Sequence, residues 1–322
     1  MKYRRLGRSG LQVSEIALGS WLTYDDPGQA ASVEAVIHKA YELGINYFDT
    51  ANMYARGEAE RVMGRALARY ERDSYVLGTK VYFDMGEGPN RKGLSRKHIM
   101  EQCEASLKRL GVDYIDLYYC HRFDENTPLD ESLRAMDDLV TQGKVLYVGI
   151  SEWREWQIAE AAGIAERLNL DPIVVNQPEY NMFTRRIESD IVPMCEKHGI
   201  GQVVFSPLAH GVLSGKYRKG EALPPGSRAT NPDHNHWIKS QGLLSEHRLN
   251  QIERLIQVAE GLGISLVHLA LAWNLRLPNI SSCIIGATRP EQVENNVAAS
   301  GISLSEDTIS EIENILTEED RD

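Results

Sequence analysis

Eight short β-rich runs ending in small or polar residues recur along the chain: EIALGS from Glu15, INYFDT from Ile45, YVLGTK from Tyr75, YIDLYYC from Tyr114, VLYVGIS from Val145, PIVVNQ from Pro172, GQVVFSP from Gly201 and SCIIGA from Ser282. Amphipathic helical stretches separate most of them. This alternation predicts parallel βαβ units. Eight such units favour a closed (β/α)8 barrel over an open doubly wound sheet. No GxGxxG follows any of the runs, which also weighs against the open sheet.

The intervening helices are legible from apolar spacing. Val33, Val36, Ile37 and Ala40 share one face, as do Ile99, Cys103, Leu107 and Leu110, and Gly44 and Gly111 follow as C-terminal stops. A third stripe, Leu129, Leu133, Met136 and Val140, stops at Gly143. The Gly-bearing turn between Tyr3 and Leu11 is expected to form a hairpin closing the barrel floor. Before the eighth run lies a long interval containing GKYRKGEALPPGSRATNPDHNHW, a candidate lid. Helices are expected after it, around Glu246 to Gly261 and Leu266 to Arg276. With 322 residues and 42% hydrophobic content the chain can bury a large core, so residues 1–322 are expected to form one barrel domain.

A net charge of -11 argues against a nucleic-acid partner, which needs a concentrated basic face. Cys103, Cys120, Cys195 and Cys283 form neither a CxxC pair nor a disulfide framework, so reduced thiols in the cytoplasm are expected. The first residues lack the apolar core of a signal peptide, and no stretch is long and apolar enough for a membrane span.

In a β/α barrel the polar residues at the carboxyl ends of the strands converge on the functional mouth. Asp49 ends INYFDT, Lys80 ends YVLGTK, His121 follows YIDLYYC, and Tyr54 lies just after the Asp49 run. Taken singly, each has an ordinary reading: a turn cap, a neutralising cation, a strand-end histidine, a packed loop ring. Together at the ends of successive strands they read as a reductase site. Asp49 holds Lys80 charged, the ammonium lowers the Tyr54 pKa, Tyr54 protonates a carbonyl oxygen and His121 orients it. A metal-assisted hydrolase lacks its signature, because His121 has no HxH or HExxH companion and no GxSxG occurs.

The motifs GINYFDTANMY, GTK, GLSRKHI, SLKRLGVDYIDLYYCHRFDENTP, NQPEYNMF, FSPLAHGVLSGKY and IIGATRPEQVENN resemble the aldo-keto reductase superfamily nearly end to end. The nearest likeness is to the branch with the potassium-channel beta subunits and their bacterial enzyme relatives. The family's catalytic tetrad falls on Asp49, Tyr54, Lys80 and His121. Channel beta subunits typically carry Asn at the last position, so His121 resembles the enzymatic relatives.

The resemblance implies NADPH as cofactor, a small carbonyl substrate and a possible homo-oligomer, with no metal and no membrane partner. It implies Ser151 and Gln177 at the nicotinamide carboxamide and Phe205 stacked on the nicotinamide, with Asp49, Ser20 and Trp21 beside the cofactor. Ser206, Pro207, Leu208 and Ala209 correspond to the loop along the pyrophosphate, with Lys216 and Arg228 supplying cations. Gly286, Thr288, Gln292, Asn295 and Asn296 match the adenosine and phosphate region. Many family members have Arg where Gln292 stands, and Asn where Glu152 stands. Trp153 and Tyr24 are candidate aromatic walls, with core packing the more ordinary reading. A redox-sensing subunit that holds NADPH with slow turnover is the alternative function. Small aldehydes, dicarbonyls and sugars all stand open as substrates.

Overall fold

The computed structural model describes residues 1–21 and 30–318. A short antiparallel hairpin, β1 (Tyr3–Arg5) and β2 (Gln12–Ser14), precedes the barrel. Eight parallel strands then close on one another: β3 (Ile16–Gly19), β4 (Tyr47–Asp49), β5 (Val76–Val81), β6 (Ile115–Cys120), β7 (Val145–Ser151), β8 (Ile173–Gln177), β9 (Gly201–Val204) and β10 (Ile280–Ile285). Pairing runs in chain order and returns from β10 to β3. Each of the eight runs supplies one strand, and the last begins two residues earlier than its run, at Ile280. These strands are buried on both faces, which is why they read as nearly continuous apolar runs.

The hairpin caps the amino-terminal end of the barrel, as expected. Leu6 and Val13 are fully buried and join the interior cluster of Tyr47, Leu117, Tyr119 and Val203. At Gly7 the backbone has φ +55, and a Cβ there would lie 2.3 Å from the Gly199 carbonyl oxygen and 2.6 Å from the Gly201 nitrogen. Only glycine lets the turn approach β9 this closely.

Helices α1 (Ala30–Glu42), α2 (Glu58–Leu67), α3 (Arg96–Leu110), α4 (Leu129–Thr141), α5 (Glu155–Leu168) and α6 (Ile191–His198) lie between successive strands from β3 to β9. Ser95 caps α3 by accepting from the His98 N–H, and Gly111 ends it in the left-handed conformation. The long interval after β9 holds the short α7 (His236–Ser240), then α8 (Glu246–Gly261) and α9 (Leu266–Asn274). The last of these, α9, stops two residues before Arg276. After β10 come α10 (Pro290–Val297) and α11 (Glu306–Thr317). No single helix among the described residues is long and apolar enough to cross a membrane.

Inside the barrel the side chains alternate with a period of two. Tyr47, Val76, Leu117, Tyr119, Val175 and Val203 pack inward, while Phe48, Leu77, Tyr118, Cys120 and Val204 pack against the helices. The inward parity continues to Asp49, Lys80, His121, Gln177 and Phe205, so these residues crown the carboxyl end of the same interior column.

Candidate active site

Asp49 and Lys80 meet at this mouth as a buried ion pair. The Lys80 Nζ lies 2.6 Å from Asp49 Oδ2 and donates again to the Thr50 carbonyl at 2.6 Å. The other Asp49 oxygen accepts from Gln177 Nε2 at 2.9 Å and from the Tyr47 hydroxyl at 3.1 Å. Lys80 is fully buried, and that burial, partly offset by Asp49, lowers its pKa from the ordinary lysine value. Tyr54 follows in a tight turn in which Ala55, Arg56 and Gly57 all take positive φ. Its ring centre is 5.2 Å from Lys80 Nζ and 5.8 Å from the His121 ring, met edge-on.

The ionisation of Tyr54 departs from expectation. Burial first, and the Asp49 charge second, raise its pKa well above the ordinary phenol value. Lys80 is not among the charges that lower it; its ammonium is bonded to Asp49 and Thr50. The cation that acts in that direction is Arg122, whose charge partly offsets the rise. Arg122 was not singled out from the sequence; it donates to the His121 carbonyl at 2.6 Å and lies over the Phe83 ring.

His121 is held by its own backbone, its N–H donating to Val81 at 2.9 Å. Burial, then the charges of Lys80 and Arg122, push its pKa well below the ordinary histidine value. Its ring is therefore neutral near pH 7, and its buried Nδ1 has no hydrogen-bond partner among the described residues. A phenol held protonated, a neutral imidazole and a buried ammonium face one space. The set suits proton donation to an oxygen that is gaining negative charge.

A sequence profile of the Aldo/keto reductase family matches residues 15–317. The chain belongs to this family. Its members in general are oxidoreductases that bind NAD(P)H. The chain is also similar to a protein of Arabidopsis thaliana named "Probable voltage-gated potassium channel subunit beta", 43% identical over 302 residues, covering 93% of this chain and 91% of the relative. A protein of the same name from Oryza sativa subsp. japonica is 41% identical over 321 residues, covering 98% and 97%.

The groove expected of an aldo/keto reductase can be tested against the residues present. Ser151 is buried and donates its hydroxyl to the Gln177 carbonyl at 2.8 Å. Ser20 is buried, donating to Thr50 Oγ1 at 2.9 Å. Phe205 is half-buried after β9. In the segment that follows, Ser206, Ala209, His210 and Gly211 all take positive φ. Such turns gather backbone N–H groups into a concave anion site, and three strained non-glycine residues within five positions mark the segment as a candidate for use. The exposed Lys216 ammonium would lie 3.3 Å from a Cβ at Gly211. Arg228 is half-buried, with Nη1 3.3 Å from His210 Nδ1 and its guanidinium 5.7 Å from the Trp21 ring centre. Among the described residues it makes no ion pair, so it stands ready for an anionic group.

After β10, Gly286 and Thr288 are exposed at the approach to the α10 N-terminus. Asn295 is exposed and Asn296 buried on that helix. Gln292 departs from a simple ligand role. Its Oε1 accepts from the N–H groups of Thr288 and Arg289 and from the Thr288 hydroxyl, so only Nε2 is left for a cofactor. Glu152 is likewise engaged, accepting from the Glu179 N–H at 2.7 Å and pairing with Arg186, at φ 61. Trp153 is fully buried against Phe123, the packing reading, and Tyr24 lies outside the described residues.

Proposed function

We propose that the protein is an NADPH-dependent carbonyl reductase in which Tyr54 is the general acid. The observation that supports this most is the meeting of the Asp49–Lys80 pair, Tyr54 and a neutral His121 at one mouth of the barrel. When bound, the cofactor supplies the hydride. Tyr54 holds the proton and passes it to the carbonyl oxygen as negative charge develops there. The neutral His121 ring donates a hydrogen bond to the same oxygen, which orients it. Lys80 stays fixed by Asp49 and Thr50, and Arg122 offsets part of the charge left on Tyr54.

Ser151 and Gln177 would hold the nicotinamide carboxamide and Phe205 would stack on its ring, with Asp49, Ser20 and Trp21 alongside. Ser206, Pro207, Leu208 and Ala209 would follow the pyrophosphate with Lys216 and Arg228. Gly286, Thr288, Asn295, Asn296 and the free Nε2 of Gln292 would take the adenosine end. The positive-φ turn and Arg228, which makes no ion pair among the described residues, fit such an anionic ligand. A cytoplasmic homo-oligomer is part of this reading.

A second reading is a redox-sensing regulatory subunit that holds NADPH with slow turnover, which the relatives' names as channel beta subunits fit only loosely. Steady-state NADPH oxidation with a panel of small aldehydes separates the two. Turnover on the order of 1 per second or faster is the enzyme outcome. Tight NADPH binding without turnover on any aldehyde would overturn it in favour of the regulatory reading.

A further inference from the structure

Directly beneath the Asp49–Lys80 pair, two fully buried phenols face each other across the barrel. The hydroxyls of Tyr47 and Tyr119 are 2.8 Å apart. The strands make room for them with glycine. A Cβ at Gly149 on β7 would lie 2.5 Å from the Tyr119 ring, and one at Gly78 on β5 would lie 3.0 Å from the Tyr47 hydroxyl and 3.3 Å from the Tyr119 ring. The level is built around two large rings and their oxygens rather than around aliphatic fill.

The directions of their hydrogen bonds follow from counting protons. Tyr47 has one hydrogen and donates it to Asp49 Oδ1. Tyr119 must therefore be the donor in the bond between the two hydroxyls. Its oxygen is left as an acceptor facing the Gln177 side chain, which acts on it as a hydrogen-bonding group. Gln177 Nε2 also donates to Asp49 Oδ1 at 2.9 Å. The amide nitrogen thus faces inward, donating to the carboxylate and turned toward a phenol whose proton is spent. The four side chains close a ring that leaves over only Asp49 Oδ2, held by Lys80, and the side-chain carbonyl oxygen of Gln177. The reversed amide would turn Oε1 against the Asp49 carboxylate, so the ring admits one orientation.

We propose that Tyr47 and Tyr119 are positioning residues, which lock the Gln177 amide with its carbonyl oxygen toward the nicotinamide carboxamide. This rests on the role given to Gln177 above. A carboxamide NH2 is a donor, so a Gln177 that presents only its oxygen is matched to it before binding. The same ring couples Asp49, and through it Lys80, to the residue that seats the cofactor.

The test compares NADPH with 2′,5′-ADP, which carries the adenosine phosphates but no nicotinamide. Fluorescence and calorimetric titrations are made on the wild type, Tyr119→Phe, Tyr47→Phe, Gln177→Leu and Tyr119→Phe/Gln177→Leu. Each phenylalanine keeps the ring that fills the barrel. Both single Tyr variants are expected to bind NADPH on the order of three- to tenfold more weakly, with 2′,5′-ADP unchanged. Adding Tyr119→Phe to Gln177→Leu should cost nothing further, because the phenol acts only through the amide. A purely structural role predicts that both ligands weaken together, or that neither does, and either result overturns the proposal. If one Tyr variant does not fold, the other carries the comparison. Unchanged NADPH affinity in Gln177→Leu would overturn the role of Gln177 itself. A wild type that binds neither ligand would overturn the cofactor reading and this proposal with it.

Discussion

The Lys80 ammonium lies 5.2 Å from the centre of the Tyr54 ring, yet both of its short hydrogen bonds go elsewhere, to Asp49 and to the Thr50 carbonyl. Its charge is largely spent before it reaches the phenol. Tyr54, pressed by burial and by Asp49, is protonated at any ordinary pH. The site thus holds its acid loaded, and a substrate oxygen that gains charge supplies the pull for the proton.

Tyr54→Phe removes that proton and keeps the ring. Turnover should fall on the order of a hundred- to ten-thousandfold, the usual worth of general acid catalysis, while NADPH affinity is retained. Steady-state assays and a fluorescence titration check both halves. Near-native turnover would move the donor's role to another group, with His121 the first candidate.

Much of this site could be read from residue order. Parallel barrel strands are largely apolar on both faces, so polar residues at their carboxyl ends stand out, and Asp49, Lys80 and His121 are such residues. The partners were hidden. Tyr47 and Tyr119 look like ordinary strand formers inside INYFDT and YIDLYYC, and only barrel closure, which pairs Lys80 with Tyr119 and Tyr119 with Gly149, sets them beneath the pair. Arg122 adjoins His121 in the chain, but its effect on Tyr54 depends on a side-chain path that no spacing rule describes. For the same reason Gln292 reads as a ligand in the sequence, whereas in the fold its carbonyl caps the Thr288–Arg289 turn.

Arg228→Ala should weaken NADPH far more than NADH, because only NADPH carries the adenosine 2′-phosphate. A hydrogen bond to a charged group is worth about 1.5–3 kcal/mol, so a loss on the order of ten- to a hundredfold is expected for NADPH. Unchanged dissociation constants for both cofactors would remove Arg228 from the phosphate site.

Gly64→Ala tests the packing of α2 on α3. In a free helix the change gains about 1 kcal/mol of propensity. Here a Cβ would lie 2.1 Å from the Leu110 carbonyl oxygen and 2.8 Å from its Cα, and backbone cannot swing aside as a side chain can. Forcing the helices apart costs about 1–3 kcal/mol, so net destabilisation is expected in urea unfolding. A more stable variant would show that the contact relaxes without cost.

His121→Asn tests the burial of the neutral imidazole through its effect on acid stability. In the folded protein the His121 pKa is pushed well below 6.5 by burial, Lys80 and Arg122, whereas the unfolded chain titrates near 6.5. Below pH 6.5 the unfolded state therefore binds a proton that the folded state refuses. Stability must fall as the pH drops through this window, down to the folded pKa, with a limiting slope of about 1.4 kcal/mol per pH unit. Asparagine carries no such proton, while His98 and the carboxylates titrate alike in both proteins. Urea unfolding of the two proteins at a series of pH values between about 7 and 5 should give curves that converge or cross as the pH falls, the wild type losing stability faster. Parallel curves would mean that His121 takes up its proton in the folded state as readily as in the unfolded chain, and a charged imidazole would then have to replace the neutral one in the proposed reaction.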